Sequence, residues 1–279
     1  VARVLRITSR NARYQQWQAL LTSRAKRQQL GEFLVQGVRP ISLAAEAGWP
    51  FRALIYDADH PLSGWAQAML RTADTVRVAM SADLLTELGE KDEDRPELLA
   101  VVEMPADDLG RIEVGRDFLG LVLDRPASPG NLGSIIRSAD AFGAAGVVVT
   151  GHAADPYDPR SVRASTGSLF ARPVVRLASP RELTAWLAAQ RARGYPIALA
   201  GADEGGEREV FDADLTVPTL LVMGNETAGL STAWRERCDY LVRIPMTGSA
   251  SSLNVANAAT VVLYEATRQR LLATGLEHF

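Results

Sequence analysis

The sequence predicts an α/β protein of two domains, on three observations. Apolar runs of strand length alternate with amphipathic stretches of helix length along the chain. A polar segment containing Pro and Gly, MPADDLGRIEVGR at 104–116, interrupts that alternation once. Beyond it, each strand-like run empties into a loop of small polar residues, the pattern of a parallel sheet with ligand loops at its carboxyl edge. A length of 279 residues with 47% apolar and 23% charged residues suits two globular cores. The expected division is a first domain over 1–105, a linker over 106–116 and a second domain over 117–279.

In the first domain, Tyr14, Trp17, Leu20 and Leu21 recur at near-helical spacing among Arg and Gln, so residues 9–30 predict one amphipathic helix. GEFLVQG at 31–37 is a short strand between glycines. Residues 40–47 follow as a helix stopped by Gly48, then 53–56 as a strand, 65–71 as a helix and 76–79 as a strand. Ser81 is a natural N-cap for the apolar turn behind it. A charged loop, GEKDEDRPE at 89–97, leads into a last strand at 98–103.

The net charge of −3 conceals an asymmetry. Residues 1–39 hold eight Lys or Arg against the single acid Glu32, whereas residues 40–110 hold five against fourteen acids. A basic arm on an otherwise acidic protein suits phosphate contact, and Arg24, Lys26 and Arg27 are the candidate RNA-binding residues. The competing interpretation is a solvated helical face. One cysteine, Cys238, excludes an internal disulfide framework and a multi-thiolate metal site. His60, His152 and His278 are too scattered for a zinc site, so no metal is expected. No apolar run approaches bilayer length, and residues 1–6 carry no apolar leader core. A cytoplasmic protein is expected.

The second domain predicts strands at Phe118–Leu123, Val147–Thr150, Pro196–Ala200, Thr219–Met223 and Tyr240–Ile244. Helices are expected at Ser134–Phe142, Pro180–Arg193 and Ser252–Leu272. Three of the loops hold candidate chemistry. Ser128-Pro129-Gly130-Asn131-Leu132-Gly133 is Gly-rich but lacks the G-x-G-x-x-G and Walker A spacings, which excludes the standard nucleotide cradles. On periodicity alone Arg137, opposite Ile135, Ile136, Ala139 and Phe142, is a solvated arginine. Gly224-Asn225-Glu226 puts a carboxylate at a strand end, where Glu226 read by itself is a helix cap. In IPMTGSASSLN at 244–254, a run of small hydroxyl residues enters an apolar helix in which Asn254 and Asn257 lie one turn apart.

Taken together and in this order, the three patterns are specific. Asn131, Gly133 and Arg137, then G-N-E-x-x-G-L, then I-P-M-x-G-x-x-x-S-L-N resemble the SpoU (TrmH-like) family of RNA ribose methyltransferases over about 160 residues. The region before them resembles the L30e-like domain that often accompanies that catalytic domain. The resemblance implies an α/β domain with a C-terminal trefoil knot, a homodimer, S-adenosylmethionine as cofactor and ribosomal RNA, 23S in particular, as substrate. It implies a catalytic set of Arg137, Asn131, Glu226, Ser252 and Asn254. Gly201, Gly224, Ile244, Met246, Ser252 and Leu253 are implied around the cofactor. The alternatives left open are a tRNA substrate and a non-catalytic RNA-binding protein. A nicotinamide dehydrogenase is excluded by the glycine spacing and by the lack of a ribose-binding acid about twenty residues on.

Overall fold

The computed structural model describes residues 4–89 and 95–275; Arg3, positions 90–94 of the charged loop, and His278 lie outside the described residues. The chain divides into two compact units. One comprises Val1–Pro105 with Asp155–Ala171, the other Ala106–Ala154 with Arg172–Phe279.

The first unit runs β1 (Val4–Ile7), α1 (Ala12–Thr22), α2 (Arg24–Leu30), β2 (Glu32–Gln36), α3 (Val38–Glu46), β3 (Phe51–Asp57), α4 (Gly64–Thr72), β4 (Val76–Met80), α5 (Ala82–Leu88) and β5 (Leu98–Glu103). Its sheet has the order β1-β4-β3-β5-β2, with β1, β4 and β3 parallel and β5 antiparallel to both its neighbours. One face, through Ile7, Ile55, Val78 and Met80, packs on Tyr14, Trp17 and Leu20 of α1 and on Leu84, Leu85 and Leu88 of α5. The single helix expected over 9–30 is two. Ser23 ends α1 by donating its N–H to the Ala19 carbonyl, and its hydroxyl accepts the Lys26 N–H to start α2. Gly31, at φ +66°, then closes α2 in the left-handed conformation that favours glycine. β1 went unanticipated because four residues are too short for an alternation to register.

In the second unit the order is β6 (Leu119–Asp124), α6 (Pro129–Ala141) and β7 (Val147–Thr150). After the segment carrying α7 (Pro159–Ser165) and α8 (Ser168–Ala171), the unit resumes with β8 (Val174–Leu177), α9 (Pro180–Ala192), β9 (Ala198–Ala202), β10 (Arg208–Glu209), β11 (Thr219–Met223), α10 (Thr232–Arg235), β12 (Tyr240–Arg243) and α11 (Val255–Ala273). The sheet is parallel throughout, in the order β10-β12-β9-β11-β6-β7-β8. Its strands are near-continuous apolar runs, as a sheet covered on both faces requires. α6 and α11 pack together through a Ser138–Thr260 hydroxyl pair at 2.7 Å and an edge-on Phe142–Tyr264 contact. Residues 106–116, expected as a linker, are tied into this unit: Ile112 is buried in its core and Asp107 pairs with Arg176 at 2.8 Å.

Residues 155–171 complete the first unit. Asp155 accepts from Arg27 Nε at 2.8 Å, and both side chains are almost fully buried. Tyr157 and Phe170 pack against Phe33, and the Trp49 indole donates to the Phe170 carbonyl. Arg27 therefore cannot contact RNA as the charge pattern suggested. Its side chain is 2% exposed and its guanidinium is taken up by Asp155, the Leu20 carbonyl and Asp158. Of the basic residues nearby, Lys26 is exposed and Arg24 half-buried.

Candidate active site

The loops after β6, β11 and β12 meet at the carboxyl edge of the parallel sheet. Ser128 caps α6 by accepting the Asn131 N–H, and Pro129 supplies a preset first residue. Asn131 thus stands in the first helical turn, with its amide turned toward the loop after β11. Glu226 there accepts three close donors, the Ala127 N–H at 2.9 Å, the Ser128 N–H at 3.0 Å and the Asn131 amide at 3.2 Å, with the Asn225 amide more distant at 3.4 Å. Burial pushes the Glu226 carboxyl up, but those two backbone N–H groups and the Asn131 amide more than offset it and hold the group below its usual range. Asn254 extends the network, donating from its amide to Asn131 Oδ1 at 3.3 Å while capping α11 through the Ala256 N–H. Glu226 is accordingly no cap for the next helix, since Ser231 precedes α10 and Glu226 reaches back to the loop before α6.

Asn225 fixes the shape of its own loop. Its side-chain oxygen accepts from Thr227 and Ala228, its amide donates to the Arg125 carbonyl at 2.7 Å, and its backbone pairs with Gly229 in both directions. The resulting hairpin leaves no room for a side chain at Gly224, where a Cβ would lie 2.3 Å from the Gly229 carbonyl carbon. Beside it opens a cavity of about 400 Å³ lined by Ala202–Glu204, by residues 223–229 and by Ile244, Met246 and Ser251–Leu253. Met246 and Leu253 form exposed apolar lips. An ion pair, Arg235 with Asp203 at 2.6 Å, stands in its wall.

Family models match both parts of the chain, the SpoU rRNA methylase family over residues 119–264 and the SpoU L30e-like domain over residues 11–100. The chain is 67% identical, over 95% of its length and 93% of the relative's, to the 23S rRNA (uridine(2479)-2'-O)-methyltransferase of Streptomyces viridochromogenes. The chain belongs to the SpoU rRNA methylase family. The crystal structure of the SpoU methyltransferase AviRb from Streptomyces viridochromogenes, in complex with the cofactor AdoMet, matches with a TM-score of 0.92 and 66% identity over 94% of this chain and 99% of that one. An AdoMet-bound rRNA methyltransferase from Sinorhizobium meliloti is more distant, 30% identical with a TM-score of 0.83 over 95% of this chain and 98% of that one.

Within this SpoU-family chain, Asn131, Glu226 and Asn254 are brought into one network, and Gly224, Ile244, Met246, Ser252 and Leu253 line the cavity. Gly201 does not line it. It lies in β9 under Leu241, Cys238 and Leu230, any of which a Cβ there would strike at under 3 Å, and the lining starts one residue later. Arg137 stands apart from the network, exposed on α6, with no hydrogen bond or ion pair among the described residues. Ser252 lies ahead of α11, which begins at Val255, and Asn257 is exposed. Sequence reasoning missed the Asp203–Arg235 pair, whose members lie on separate loops with no motif to join them. It also missed the Ala127 and Ser128 N–H groups that receive Glu226, because backbone donors leave no trace in side-chain spacing. Among the described residues no helix is long and apolar enough to cross a membrane, and no group of His, Cys, Asp and Glu could hold a metal.

Proposed function

We propose that this chain methylates the 2′-hydroxyl of a uridine ribose in 23S rRNA, using S-adenosylmethionine, as a homodimer with a trefoil-knotted catalytic domain. The observation that carries the reading is 67% identity, across nearly the whole chain, to an enzyme named for that reaction.

The cavity fits the cofactor by its own chemistry. Apolar walls from Met223, Ile244, Met246 and Leu253 alternate with hydroxyl and backbone groups, the usual lining for a ligand of this size. Gly224, where the backbone of Gly229 and Leu230 leaves no room for a Cβ, lets the hairpin close tightly against the cavity wall. When bound, S-adenosylmethionine supplies an electrophilic methyl on a good leaving group. What the protein must then do is align a ribose oxygen and stabilise the charge it develops on losing its proton. Glu226, with two backbone N–H groups held at 2.9 and 3.0 Å, fixes the loop before α6 and turns the Asn131 amide toward Asn254. Arg137 supplies fixed positive charge for the forming alkoxide, which a guanidinium does while remaining protonated.

Support for the homodimer comes from α11, where Val261, Tyr264 and Leu272 expose 39%, 55% and 52% of their surface, and from the unpaired Arg137 on the helix packed against it. A second copy covering these helices brings one copy's Arg137 to the other's cavity. The knot is supported by the sheet order, in which β12 enters between β9 and β10 although it follows β11 in the chain. The first unit is the RNA-recognition domain on this reading, with Lys26 and Arg24 as candidate phosphate contacts.

The test is methyl transfer from labelled S-adenosylmethionine to unmodified 23S rRNA and, separately, to tRNA. Incorporation into 23S rRNA is expected, and tRNA labelled in preference to it would overturn the assignment. Mixing Asn131→Ala with Arg137→Ala subunits should restore part of the activity each lacks alone; no recovery in mixed dimers would refute sharing of the site.

A further inference from the structure

Arg125 is the first residue after β6, at the ligand edge of the sheet, and its φ of +52° is positive. For a residue with a Cβ this conformation is unfavourable, and a glycine would adopt it freely. Such outliers concentrate where a side chain is needed in a particular place. Here the turn lets neighbours meet that would point apart in a regular strand. Arg125 Nε and Nη2 grip Asp124 Oδ1 and Oδ2 at 2.9 and 3.0 Å. Asp124 is buried and also accepts the Ser231 N–H at 2.8 Å, so its carboxylate is a fixed anchor. The Arg125 side chain above it is 38% exposed, its stem packed over Gly151, where a Cβ would lie 2.9 Å from Arg125 Cγ.

The anchoring spends two of five guanidinium N–H groups, so both on Nη1 and one on Nη2 have no acceptor among the described residues. The backbone is held as well: the Arg125 N–H donates to the Thr150 carbonyl, and its carbonyl accepts the Asn225 amide. That same amide lies 3.4 Å from Glu226 Oε2, which connects Arg125 to the Asn131–Glu226–Asn254 network. Three acids of this edge are already engaged, Glu226 by N–H groups, Asp203 by Arg235 and Asp124 by Arg125 itself. A planar cation with spare forked donors, held rigidly beside a ribose-modifying site, matches a phosphodiester.

We propose that Arg125 binds a backbone phosphate of the substrate RNA, a contact that positions the strand at the Asn131–Glu226–Asn254 site. This rests on the reading that the chain methylates RNA. The test compares wild type, Arg125→Gln and Arg125→Lys by binding to unmodified 23S rRNA across a KCl series, with S-adenosylmethionine affinity measured by calorimetry on the same samples. Arg125→Gln should bind RNA about tenfold more weakly and flatten the log–log salt slope by about 0.7–0.9, the loss of one phosphate contact. Arg125→Lys keeps the charge without the fork and should retain the slope while losing a smaller part of the affinity. Cofactor affinity should hold in both. Unchanged RNA affinity and slope in Arg125→Gln would overturn the proposal. Loss of cofactor affinity in both variants would overturn it too, because Arg125 would then be a support for the end of β6. If wild type binds the RNA but leaves its 2′-hydroxyls unmethylated, the functional reading fails instead, and the salt series still decides Arg125.

Discussion

Replacing Glu226 with glutamine removes one charge and turns one acceptor oxygen into a donor, yet three close donors converge on that carboxylate. Ser128 N–H and the Asn131 amide share Oε1, and Ala127 N–H takes Oε2. Glutamine offers one oxygen. Aimed at Ser128 and Asn131, it sets its NH2 against the Ala127 N–H; flipped, it strands the other two. Hydrogen bonds to a charged group contribute about 1.5–3 kcal/mol each, and one is lost outright while two become neutral. Because solvent reaches part of this side chain, the lower end applies, about 2 kcal/mol. For a protein of this size that corresponds to a fall of about 4–8 °C in Tm. The same 2 kcal/mol, felt as misalignment of Asn131, is a loss of about thirtyfold in kcat/KM. Thermal unfolding and single-turnover methyl transfer, run on Glu226→Gln beside wild type, measure both. A variant as stable and as active as wild type would refute the claim that this carboxylate organises the site.

Arg137→Ala should keep cofactor affinity in calorimetry and lower methyl transfer about 10³-fold, the scale of removing a charge that stabilises a developing oxyanion. Arg270, whose pKa is lowered by burial, donates to the Asp117, Phe118, Leu215 and Val217 carbonyls; Arg270→Met should cost about 3 kcal/mol in denaturant unfolding by leaving them unmet. Burial, then the charges of Asp239, Asp203 and Glu207, push the Cys238 thiol up to about 12, so iodoacetamide at pH 8 should modify denatured protein and spare the native form.

Much of this site was legible because its residues come in short, rigidly spaced groups. Asn131, Glu226 and Asn254 each stand in the stretch that follows a strand of the sheet, β6, β11 and β12, and a parallel sheet gathers strand ends on one edge. Gly224 was legible for the same reason, since the hairpin it permits is encoded locally. Gly201 was misplaced by one residue, enough to move a strand residue from the cavity wall into the packing beneath it. Arg27 was misread because charge counts take no account of direction. The break at Ser23 starts a second helix with Arg27 on its inner face, and the partner that makes burial tolerable, Asp155, is 128 residues away. The strain at Arg125 was invisible, because nothing in Asp-Arg-Pro spells out a positive φ. Arg137 shows the opposite case: its place on the exposed face of α6 followed from periodicity, but the catalytic role proposed for it rests on the family resemblance alone.

Transfer of the methyl group to a ribose oxygen of uridine is read out by nucleoside analysis. Unmodified 23S rRNA, treated with the protein and S-adenosylmethionine, is digested to nucleosides and resolved by mass spectrometry. New 2′-O-methyluridine is expected at about one per rRNA molecule, absent with Arg137→Ala. Methyl groups found on the bases, or no new methylated nucleoside at all from protein that binds the cofactor, would contradict it.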